Sequence, residues 1–302
     1  MTRNVATDAP TPAPANDPAA APVPGTDRAG APGSPGPLGS ARAGRATKGS
    51  AREKAIVWAG RILVPVVVIG AWQLAVDSGR ADPFFVGQPS RVWSFLLDEG
   101  LTADMARDMW VTLQETLVGF VVGSTAGIAT GLVLARFRLL YAIFTPYLTA
   151  LNALPRIALA PLFVLWFGIG MQSKVVLVIS IVFFILMSAT LGAVRNVDPD
   201  LVRLSRVIGF STRRTFLHVH TPWAVPGIFA GLQLGMIYAF LAAVAGEMIS
   251  ARAGVGQRLQ YYSGTFNTSA MLGTLALLAV VATALSLAMD LVRRRIMRYR
   301  AD

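Results

Sequence analysis

The sequence predicts an all-α polytopic membrane protein with about six transmembrane helices. Two compositional facts point there: 54% of its residues are hydrophobic and only 14% are charged. The third observation is a series of apolar runs that approach or exceed the roughly 20 residues needed to cross a bilayer. None alternates in the manner of a barrel strand. Backbone polar groups in lipid must pair within their own segment, so the runs are helices.

Taken in order, residues 1–55 come before the first span. They are rich in Pro, Ala and Gly and contain no apolar run, which predicts a disordered cytoplasmic tail. No apolar stretch precedes a cleavage site, so this is not a signal peptide. Residues 44–50 have the composition of a phosphate loop, but not its order or its strand–helix setting. The transmembrane domain is expected over 56–297, with spans at about 57–76, 111–135, 139–167, 174–194, 223–246 and 270–292. Between the first two, residues 88–97 read as a capped amphipathic helix on the outer interface, facing a partner or lipid. The second span carries Gly119, Gly123, Gly127 and Gly131, and the fifth carries Gly227, Gly231 and Gly235. Such rows let neighbouring backbones approach, and packing within one subunit is the simplest use for them. At about 1.5 Å per residue the third span would reach about 43 Å, too long for one straight crossing. Pro146, Pro155 and Pro161 offer places to bend or break it.

Charge placement orients the bundle. Lys and Arg crowd the flank before the first span, the turn at Arg136 and Arg138, the segment 197–227, and the tail from Arg293 to Arg300. The alternate loops are poorer in them, which places both termini in the cytoplasm. The net charge of +11 is therefore a topological signal, with no patch suited to nucleic acid. The chain has no cysteine, which removes disulfides and thiolate chemistry. His218 and His220 lack a third ligand, so no metal site is expected. Asp290 is expected to pair with Arg293 and Arg294.

Two features stand out against this frame. The first is the polar segment 197–227, far longer than a turn. Asp198 and Pro199 suit an N-cap and first helical position, and Leu201, Leu204, Val207 and Ile208 recur at helical spacing. Gly209 ends that helix, Ser211 or Thr212 caps a second, and the second ends before Pro222. The second feature is Arg156, a charge inside the third span that needs a cavity or a partner. It is either a cationic contact beside an anion pathway or a guanidinium satisfying carbonyls freed by Pro155. Glu247, near the end of the fifth span, either pairs across an outer gate or sits cheaply at a helix end.

These residues carry a resemblance. The segment around Arg203, Leu204, Ser205, Gly209 and Pro222 resembles the cytoplasmic E-A-A-x-x-x-G loop of ABC-importer permeases, with Arg203 in place of the usual glutamate. Residues 151–170, LNALPRIALAPLFVLWFGIG, are similar to the P-[RK]-[IV]-A-x-x-P-L…W-F-G-[IL]-G signature of the nitrate, sulfonate and taurine branch. Residues 83–96 and 245–256 match the same branch, so the resemblance runs from about 57 to 297.

The resemblance implies a type I ABC-importer permease fold in a bacterial inner membrane. Two such subunits, as a homodimer, would work with two ABC ATPases and an extracytoplasmic solute-binding protein to import a small anionic solute. Arg203, Leu204, Ser205, Gly209, Ser211, Arg213, Arg214 and Pro222 would form the ATPase-coupling element. Pro155, Arg156 and Glu247 are candidates for the translocation pathway or its gate. No catalytic constellation or cofactor site appears in this chain; ATP and Mg would belong to the partner ATPase. A secondary transporter would need inverted repeats or several intramembrane charges, and a membrane enzyme a polar cluster; neither is visible in the sequence.

Overall fold

The spans are helices because each is a run of apolar residues whose backbone must bond to itself. The computed structural model describes residues 51–297, and all regular structure among them is helical. Of the tail expected over 1–55, residues 1–50, with the fragment 44–50, lie outside the described residues, while 51–55 already belong to the first helix. Five helices are long and apolar enough to cross a membrane: α1 (Ala51–Asp77, from Ile56), α4 (Ala103–Arg136), α7 (Met171–Arg195), a helix running Thr212–Ile249, and α12 (Thr268–Met297). A sixth arises from α5 (Arg138–Ala153) and α6 (Ala160–Phe167), joined through a short 3-10 turn and bent by 79°. Pro155 supplies the break, since it cannot donate to the helical ladder and holds Leu154 extended. Pro146, by contrast, lies inside α5, and Pro161 in the first turn of α6, where a proline costs no bond.

α7 is the central helix. Gly119, Gly123, Gly127 and Gly131 of α4 pack on one side of it; a Cβ at Gly127 would stand 2.5 Å from the Phe183 carbonyl oxygen and 3.0 Å from Leu186 Cβ. On its other side lie Gly227, Gly231 and Gly235, where added Cβ atoms would meet Ala193, Ala189 and Leu186 at 2.6–2.7 Å. Leu186 is fully buried beneath both rows. The rows therefore serve close packing within one subunit. α1 and α12 bury little and present apolar side chains outward, as helices at a lipid boundary do.

One end of the bundle is closed by α2 (Pro83–Val86), α3 (Pro89–Asp98) and α11 (Val255–Gly264). α3 is the predicted amphipathic helix, and its Phe95 packs against Gly273 of α12 and edge-on to Tyr262, with ring centroids 5.5 Å apart. Its cap differs from expectation. Gln88 makes no capping bond; its Nε2 donates to Asp77 Oδ1 at 3.1 Å, and Gln73 Oε1 accepts from the Ser90 N–H instead. At the far end of α12, Asp290 pairs with Arg293 and Arg294 at 3.2 and 2.7 Å.

Candidate functional site

At the other end, between α7 and the fifth span, residues 198–220 fold into a platform. α8 (Pro199–Val207) starts as its sequence requires: Asp198 accepts from the Asp200 N–H at 2.9 Å, and Pro199 stands at the first position. It stops in a Schellman turn. Gly209 has φ +86°, its N–H donates to the Arg206 carbonyl at 3.0 Å, and the Phe210 N–H donates to the Ser205 carbonyl at 2.9 Å. Ser211 then caps α9 (Thr212–Thr215) by accepting from the Arg214 N–H.

The platform's sidedness is the informative part. Ser205 and Thr215 are buried and their hydroxyls lie 3.2 Å apart, pinning α8 to α9. The apolar residues of α8 face outward instead: Leu204, Val207 and Ile208 are 54%, 84% and 64% exposed. A cleft of about 300 Å³ opens between Leu204, Ser205, Ile208, His218 and Pro222. Arg203 is also exposed and pairs only with its neighbour Asp200, at 3.3 Å.

One expectation fails here. The second platform helix does not end before Pro222. It continues through a π turn (Phe216–His220) into α10 (Thr221–Ile249), with Pro222 in the first turn of α10. The wider turn explains why: the Thr221 N–H reaches back to the Phe216 carbonyl, so the ladder has already shifted register where proline lacks its donor. His218 and His220 turn to separate carbonyls, of Arg214 and Val194, and no group of three metal-ligating side chains exists among the described residues.

Pro155 and Arg156 sit at the bend of the third span. The Arg156 guanidinium lies 4.2 Å over the Phe184 ring of α7, and its Nη2 donates to Asn152 Oδ1 at 2.7 Å and to the Leu151 carbonyl at 3.5 Å. Asn152 and Phe184, with Ser188, Gly227 and Gly231, line a cavity of about 490 Å³. Arg156 is thus anchored to two residues of that cavity's wall. Pro155 is exposed beside it.

Glu247 lies far from both, within a buried polar cluster near the opposite end. It accepts from Thr112 Oγ1 and from the Gly256 N–H, each at 2.7 Å, and Thr112 in turn accepts from the Val255 N–H at 3.1 Å. Glu115 and Lys174 lie close enough to its carboxyl to act on it electrostatically. All three are at most 3% exposed. Lys174 Nζ donates to the Gly170 carbonyl at 2.9 Å, and Glu115 Oε2 has no partner. Just outside, Arg258 forms an ion pair with Asp108, which also accepts from the Gly254 N–H. Burial disfavours the Arg258 charge, yet the Asp108 bond outweighs it and holds the guanidinium above its usual range.

Glu115, Lys174 and Glu247 thus join Arg156 as buried or half-buried ionisable groups on the spanning helices. The available signal was that Lys174 opens an apolar helix directly after the Gly168–Gly170 turn, while two lone glutamates interrupt the second and fifth spans.

Comparison with known proteins now adds identity. Residues 123–298 match the family described as binding-protein-dependent transport system inner membrane component. The chain is 30% identical to a riboflavin transport system permease of Chloroflexus aurantiacus over 76% of this chain and 86% of that protein. It is 26% identical to an aliphatic sulfonates permease of Bacillus subtilis, covering 80% and 88%, and 27% identical to the taurine permease of Escherichia coli, covering 78% and 88%. In fold it is similar to the inward-facing MetNI methionine ABC transporter, with TM-score 0.58 and 22% identity over 66% of this chain and 99% of that one. An amino acid ABC transporter gives 0.57 and 16%, over 67% and 98%. Multi-pass architecture and family match agree, and the chain belongs to the family of binding-protein-dependent transport system inner membrane components, as an ABC-importer permease.

Proposed function

We propose that this chain, paired with a second copy in a bacterial inner membrane, forms the channel of an ATP-driven importer for a small organic anion such as a sulfonate. Two cytoplasmic ATPases, which carry the ATP and Mg, dock on the platforms. An extracytoplasmic binding protein delivers solute to the opposite end. Both termini are cytoplasmic. The observation that carries this reading is the outward-facing apolar side of α8, which leaves Leu204, Val207 and Ile208 uncovered at the end of a folded, basic platform. Exposed apolar side chains beside polar ones suit a protein groove better than water. Arg203, Arg213 and Arg214 set the sign of that contact, calling for an acidic groove on the ATPase.

Closure of the ATPase pair would move both platforms together, switching the spans between inward- and outward-facing arrangements as rigid bodies. Solute would pass the bend of the third span, where Arg156 beside the Asn152 and Phe184 wall supplies a positive charge in low dielectric. The names of the sulfonate and taurine relatives support an anion. A second reading, an aromatic solute, is favoured by the riboflavin relative and by Phe184 in the cavity wall. Glu247, with Thr112 and the Gly256 backbone, would hold the outer ends of the spans closed.

Because the natural chain has no cysteine, Val207→Cys provides a single reporter. Cross-linking it in native membranes, then purifying in mild detergent and identifying the adducts and companions by mass spectrometry, is expected to yield an ATPase bound at position 207 and a binding protein. The ligand of that binding protein decides between anion and aromatic. A clean preparation without any ATPase would end the reading.

A further inference from the structure

Beside the platform is a second cleft, of about 330 Å³, formed where α4, α7, α8 and α9 meet. Arg136, Arg195, Arg206 and His220 line it together with Thr212 and Thr215. No carboxylate lines it, and none of its arginines enters an ion pair among the described residues. Three arginines around one cleft, with no carboxylate among its lining residues, make it an electropositive space suited to an anion. Two of them lie beside rings: Arg195 is 3.7 Å over Tyr141, and Arg136 is 5.4 Å from the Phe137 centroid and 6.0 Å from that of Phe216. His220 Nδ1 donates to the Val194 carbonyl, which fixes the ring at the cleft wall.

We propose that this cleft binds the phosphate group of an anionic phospholipid, with the arginines as its clamp. Position argues for lipid as the source of the phosphate. Arg136 and Arg195 are the last residues of two spanning helices, so the cleft lies at headgroup depth with apolar helix surface directly below. Arginine forks match phosphate oxygens in paired hydrogen bonds, and the Thr212 hydroxyl can add a donor. The bound headgroup would tie α4 and α7 to α8 and α9, the elements that meet the ATPase in the proposed function. Binding itself does not depend on that proposal; only the assignment to the cytoplasmic leaflet does.

The test uses the full-length permease, purified in mild detergent and examined by native mass spectrometry against added phosphatidylglycerol. We expect one tightly retained lipid per chain. Arg206→Gln and the pair Arg136→Gln with Arg195→Gln should each lower retention at least tenfold, while Arg206→Lys, which keeps the charge but not the fork, should fall between wild type and Arg206→Gln. Arg252→Gln, an exposed arginine at the opposite end, should change nothing. Because the Arg206 substitutions are on an exposed position, they leave the spans intact and separate a lost site from a lost fold. Equal retention in all variants would overturn the proposal. Displacement of the lipid by millimolar inorganic phosphate, with no preference for phosphatidylglycerol over phosphatidylcholine, would overturn the lipid assignment. Retention that fails while the Val207→Cys cross-link to an ATPase persists would reject this site and leave the coupling role standing.

Discussion

Gly209 offers a perturbation whose size can be worked out almost entirely from backbone geometry. Its φ is +86°, and a Cβ built there meets nothing within 4 Å. Any effect of substitution is therefore the cost of a side chain in the left-handed region, about 1–2 kcal/mol for an ordinary L residue, with β-branched residues worst and Asn least affected. The Schellman bonds from Gly209 and Phe210 back to Arg206 and Ser205 hold this conformation. If the turn relaxes they are lost, and α8 no longer presents Leu204 and Ile208 in register. At 1.4 kcal/mol per factor of ten, about 1–2 kcal/mol lowers the docked population roughly 5- to 30-fold. The assay is ATPase recovered per permease after mild purification, normalised to permease level in the membrane. We expect the order Gly, then Asn, then Ala, then Val, with unchanged membrane level throughout. Wild-type ATPase recovery in Gly209→Val would refute the reasoning. So would an Asn variant as impaired as Val, since that would implicate side-chain bulk rather than φ.

Other expectations follow from single contacts. Gly127→Ala should destabilise the bundle by about 1–3 kcal/mol through overpacking against Phe183 and Leu186, read as a lower melting temperature in detergent. The matched control Gly70→Ala, where a Cβ meets nothing, should not, and equal behaviour of the two would refute the packing account. Lys174→Met removes the bond to the Gly170 carbonyl and the cation nearest two buried carboxyls, and should destabilise the bundle by about 1–3 kcal/mol. Glu115→Gln in the same chain should recover part of that loss; no recovery would mean that Lys174 serves only its Gly170 bond. Arg203→Glu should weaken transport with the native ATPase, because it reverses the charge at the exposed edge of α8, and wild-type transport would refute charge matching.

Much of the fold was legible because lipid allows so few solutions. Span positions, the break at Pro155 and the glycine rows follow from length, proline chemistry and small-residue spacing, all local properties. The platform's first helix and its glycine stop were legible for the same reason: Asp198, Pro199 and Gly209 each act within a turn of themselves. What escaped was non-local. Lys174 looks like a loop charge until α4 and α10 bring Glu115 and Glu247 to it, and no spacing in sequence relates positions 115, 174 and 247. Gln73 capping α3 is of the same kind. Pro222 misled for a different reason, since a proline ends a helix only if the ladder has not already changed register, and the π turn changes it one residue earlier.

That unbroken passage has a mechanical consequence. From Thr212 to Ile249 the chain is one helix of 38 residues, roughly 57 Å from end to end. It begins in the platform and ends beside Glu247, so the two extremities of the bundle share a single stiff shaft. A push on the platform end is felt at the far end without relay through loops, and the shaft can bend at two places near its platform end, the π turn and Pro226 inside α10. The ring stack of Phe216 on His220 sits on the first of these, which makes it a point at which the stiffness of the shaft can be set.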